Sequence, residues 1–79
     1  MADPDAPADP TAWIAAFAAR LGLEPPDAAT VDTLLDLAGV AAHASQRTAA
    51  PIACWLIGRA GMSADDGLAL AREVGGSVA

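Results

Sequence analysis

Seventy-nine residues allow one domain, and a chain this short buries too small a share of its surface for its core alone to give more than marginal stability. Ten acidic residues against four basic ones, all arginine, give a formal net charge of −6, which repels phosphate and excludes nucleic acid and anionic membrane as partners. Cys54 is the only cysteine, so neither an intramolecular disulfide nor a cysteine-based metal site forms within one chain, and a reducing, cytoplasmic setting is expected.

Residues Met1 to Ala8 mix Asp, Pro and Ala without a bulky apolar side chain, the composition of a flexible tail and not of a signal peptide. Asp9 followed by Pro10 marks a helix start, and Trp13, Ile14, Phe17 and Leu21 then recur at helical spacing up to a cap at Gly22. The Glu24-Pro25-Pro26-Asp27 stretch forbids continued helix, so a second helix is expected to begin near Thr30 to Asp32. Leu34, Leu37, Ala38 and Ala41 share one face of it, and Asp32, Asp36, His43 and Arg47 align along the other.

A short turn around Arg47 to Ala50 leads to Pro51, which fits the first turn of a third helix running to Ala60. Ile52 through Ile57 make this helix apolar around most of its circumference, the pattern of a central, buried helix. Its apolar run stops well short of the roughly 20 residues needed to cross a membrane. Gly61 ends it, Ser63 with Asp66 resembles a capping box, and a last helix follows through Val74 to a stop at Gly75-Gly76. The reading is an all-α fold, a small bundle of about four short helices over residues 9–76, with residues 77–79 frayed. Trp13, Phe17, Leu34, Leu37, Ile52, Trp55 and Leu56 lie on convergent faces and are the expected core.

Catalytic chemistry finds little to work with. His43 belongs to the polar face of helix two and Cys54 to the apolar helix three, so a nucleophile–base pair is not expected. The carboxylate pairs Asp32/Asp36, Asp65/Asp66 and Asp3/Asp5 lack apolar surroundings that would raise a pKa, and Asp65 and Asp66 suit a helix's first turn by its dipole. No ligand spacing suggests a metal and no glycine-rich loop suggests a nucleotide, so neither metal nor cofactor is expected. His43 and Arg47, four apart before the Ala50-Pro51 turn, form with Pro51 and Trp55 the candidate interaction corner. The competing reading of His43 and Arg47 is a surface pair facing solvent or the last carbonyls of helix two.

Leu34-Leu35-Asp36-Leu37-Ala38, Ala42-His43, Arg47, Ala50-Pro51 and the apolar stretch to Gly58, with Trp13-Ile14 and Leu21-Gly22-Leu23 before them, resemble a small actinobacterial domain family of unknown function. The resemblance covers roughly residues 11–74 and implies association with, or fusion to, molybdenum-cofactor guanylyltransferase. It transfers no activity, because that enzyme needs a nucleotide-binding α/β domain for which this chain is too short and too helical. Gly39-Val40 departs from the family pattern by placing a glycine inside helix two.

The preferred reading is thus a non-enzymatic accessory domain that docks onto a protein of molybdenum-cofactor assembly. The alternatives are a small-ligand or catalytic unit with His43, Arg47 and Trp55 lining a groove between helices two and three, and a self-associating domain. Purified protein is expected to carry no stoichiometric metal. Elemental analysis finding about one transition metal per chain, lost in His43→Ala, would contradict this.

Overall fold

Helix boundaries follow from where the first and last backbone groups find partners. The computed structural model describes residues 9–78, with side-chain surroundings over residues 9–75. The expected tail, including Asp3 and Asp5, and the terminal Ala79 lie outside the described residues.

Helix α1, Pro10–Arg20, starts at a proline that has no N–H to leave unpaired. It ends where Gly22 takes a left-handed φ of 75° and the Leu23 N–H donates to the Ala18 carbonyl at 2.9 Å. Helix α2, Ala28–Ala44, begins earlier than the spacing of apolar residues suggests, because Asp27 caps it by accepting the Thr30 N–H at 2.8 Å. Hydrogen bonds from the Thr30 side chain and backbone N–H hold the Asp27 carboxyl below the ordinary carboxylate range.

Helix α3, Ala49–Ala60, also starts before the expected Pro51. The Ala49 and Ala50 N–H groups donate to the Gln46 and Arg47 carbonyls at 2.9 and 3.1 Å, a tight turn that leaves Pro51 inside the first helical turn, where its missing N–H costs nothing. Gly61, at φ 68°, caps the other end. Helix α4, Ala64–Val78, opens with the Asp66 N–H donating to the Ser63 hydroxyl at 3.1 Å. It continues through Gly75-Gly76, where the sequence suggests a stop, and takes in Ser77 and Val78. Gly75 lies against α2 there: a Cβ at that position would meet the Ala44 Cβ at 3.6 Å, an ordinary van der Waals contact.

The bundle is organised on α2, which packs against both α3 and α4, whereas α1 makes no extensive contact with any other helix. The Thr33 hydroxyl meets an Asp65 carboxylate oxygen at 3.3 Å, and Gly75 lies against Val40 and Ala44, so α4 runs parallel to α2. Helix α3, returned by the short turn, runs antiparallel to both. A Cβ at Gly67 would stand 2.9 Å from the Ile57 side chain, so α3 and α4 touch most closely near the turn that joins them.

The expected core is corrected in most of its members. Leu37 is fully buried and Leu34 is half-buried, but Trp13, Phe17, Ile52, Trp55 and Leu56 are each more than half exposed. Helix α3, expected to be central, holds no buried residue. Helical periodicity tells which residues share a face; it does not supply a neighbour for that face. Here α2 takes the central place because it alone has helices on two sides.

Two measurements test this packing. Leu37→Ala should lower unfolding stability by about 3 kcal/mol, while Trp55→Ala, at an exposed site, should change it by less than about 0.5 kcal/mol, both read by urea denaturation. The cap predicts a pH dependence: because the Asp27 pKa is depressed on folding, its stabilisation is complete above the unfolded carboxylate pKa and is lost as pH falls through the folded value. Thermal melts of Asp27→Asn, which keeps an N-cap acceptor, should lack that part of the acid sensitivity.

Candidate apolar docking groove

Two helices splayed over a third leave a trough between them. Leu37, Val40, Ala41 and Ala44 of α2 form its floor, Ile52, Ala53, Leu56 and Ile57 of α3 one wall, and Leu70, Ala71 and Val74 of α4 the other. The volume is about 590 Å³, and no lining residue is charged. The groove closes where Ile57 meets Gly67 and opens toward Ala44, Ala49 and Val74, with Ser45 and Thr48 as the polar side chains at its mouth. Its walls are accessible, Ile52 at 59% and Leu70 at 43% exposure. Such a surface holds a partner by apolar area, with orientation set by shape.

The residues singled out from the sequence do not converge. His43 lines a second, shallow groove of about 660 Å³ with Leu35, Asp36, Gly39 and Arg72. Arg47 is exposed in the α2–α3 turn, and Pro51 and Trp55 are exposed on α3. None of the four lines the apolar groove. With Ile52, Ala53, Leu56 and Ile57 turned inward, 100° per residue carries Pro51 and Trp55 to the opposite side of α3.

Nor does either groove combine the candidate nucleophile with the candidate base. Cys54 is half-buried on α3 and His43 is exposed on α2, and they line no common groove. Among the described residues no group of three or more His, Cys, Asp or Glu is placed to hold a metal ion. No described helix is long and apolar enough to cross a membrane.

A second apolar surface lies on α1. The Trp13 and Phe17 rings stack at a centroid distance of 5.0 Å with 28° between their planes, both more than half exposed, and Leu21 continues their face. Sequence periodicity marked this stripe; the groove it did not mark, since its walls come from three helices. The trace that pointed toward it was the apolarity of α3 on more than one side, which leaves apolar side chains over after the contact with α2 is made.

Residues 5–79 match DUF6457, described as a domain of unknown function. The chain belongs to this family. The DUF6457 match spans all four helices, so the α1 stripe and the groove are parts of one family unit and not an addition to it. No curated protein and no solved structure matches the chain.

Proposed function

We propose that this protein is a non-enzymatic accessory domain that docks onto a larger protein by taking an apolar helix into the groove between α3 and α4. The observation that carries the reading is the groove itself, a long uncharged trough with walls formed by exposed Ile52, Leu56 and Leu70. Amphipathic helices laid into such grooves use apolar anchors at helical spacing. Small-molecule sites, in contrast, enclose most of their ligand, and this trough is open along its length. The family resemblance supplies the candidate partner, a protein of molybdenum-cofactor assembly such as the guanylyltransferase that attaches a nucleotide to molybdopterin.

Affinity purification with mass spectrometry from the cell of origin should recover a molybdenum-cofactor protein with the unaltered chain and lose it with Leu70→Glu. Recovery unchanged by Leu70→Glu but abolished by His43→Ala or Arg47→Ala would move the contact to the polar corner. A deletion strain with fully active molybdoenzymes, together with no such protein recovered, would remove the pathway assignment.

A further inference from the structure

Two exposed apolar surfaces of similar length lie on one chain, and each has the shape the other lacks. The groove is concave and uncharged; α1 is a convex, detached helix whose Trp13, Phe17 and Leu21 protrude from a segment with Arg20 as its sole charge. Eleven residues of helix span about 16 Å, and the groove wall from Ala49 to Ile57 spans about 12 Å. The stripe from Trp13 to Leu21 covers the same eight residue steps as the wall, so the two match over about two helical turns.

The chain's own geometry keeps α1 out of its own groove. The Leu23–Ala18 hydrogen bond fixes the end of α1, leaving Glu24 to Asp27 as the connection to Ala28, and Pro25-Pro26 stiffens it. At the roughly 3.1 Å per residue of a proline-rich segment it reaches about 15 Å. Advancing along α2 from Ala28 to Leu37, where the groove begins, already takes about 14 Å. The groove also lies about 8–10 Å to the side of the α2 axis, so the straight span needed is about 16–17 Å, slightly more than the connection supplies. The groove is moreover shut at the Ile57–Gly67 end, which faces the N-terminal half of α2, and opens at the far end.

We infer that the groove is filled by α1 of a second copy of this chain, entering from the open end, in a reciprocal dimer that places two such helices in two grooves. This rests on the preceding reading of the groove as a helix-binding site and names its occupant in the free protein. Covering Trp13, Phe17 and Leu21 together with the open surface of the groove removes on the order of 500 Å² per protomer, since a large apolar side chain offers roughly 150–250 Å² and these are about half exposed. The dimer then buries about 1,000 Å² in all, the lower end of the range for specific interfaces. An uncharged stripe in an uncharged trough also brings no like charges together, in a chain whose net charge of −6 disfavours most other self-contacts.

Sedimentation equilibrium of the full chain tests the exchange. The unaltered protein should show twice its 7.8 kDa mass. Trp13→Asp with Phe17→Asp, on the detached helix, and Ile52→Asp, on the groove wall near the start of α3, should each weaken association at least about 30-fold while circular dichroism shows the helices intact. Mixing the two variants should restore association in part, because the unaltered α1 of one enters the unaltered groove of the other and rebuilds one of the two contacts. A monomer at all concentrations, a dimer indifferent to the α1 substitutions, or a mixture that associates no better than either variant alone would each overturn the inference. Loss of the cellular partner with the dimer intact would overturn the preceding reading of function and leave this one standing.

Discussion

The burial of Leu37 is the contact on which the rest of the bundle depends. It stands in the middle of α2, where α3 approaches from one side and α4 from the other, and it is the one large described side chain with no exposure at all. In a chain of this length a single such residue carries a large fraction of the hydrophobic stabilisation, because a few kcal/mol is comparable with the whole stability of a small domain. The alanines and glycines around it serve the same contact from the other direction. Gly67, where a Cβ would stand 2.9 Å from the Ile57 side chain, lets α3 and α4 come close on either side of Leu37.

That economy has a consequence at the surface. A core built on small residues leaves the large ones uncovered: Trp13, Phe17, Leu35, Ile52, Trp55 and Leu56 are all more than half exposed, to a degree unusual for a folded chain. The groove and the α1 stripe are organised parts of this excess, concave and convex respectively. Trp55 and Leu35 lie outside both, and their surroundings assign them no partner.

Charge plays a local part in holding the helices and no visible part in building a site. Asp27 and Ser63 cap α2 and α4, and Asp65 reaches Thr33 across the α2–α4 contact while also standing in the first turn of its own helix. The other described charged residues are exposed. Helix α2 ends between His43 and Arg47: Ser45 leaves helical geometry, so the spacing of four does not by itself align the pair on one face.

The sequence by itself determined the helices and little beyond them. Proline at Pro10, Pro25 and Pro26, glycine at Gly22 and Gly61, and the Ser63 cap act within a few residues of themselves, so their effects are readable without a fold. The starts of α2 and α3 were misplaced by a turn or less because capping at Asp27 and the Gln46–Ala50 turn outweighs the apolar pattern that marks each helix interior. What only the tertiary structure decided is which apolar faces meet. Periodicity treats Trp13, Leu37 and Trp55 alike, yet burial is a property of pairs of helices, and the placement of α2 between α3 and α4 covers Leu37, turns Trp55 outward and leaves between the two outer helices an apolar trough that no one helix contains.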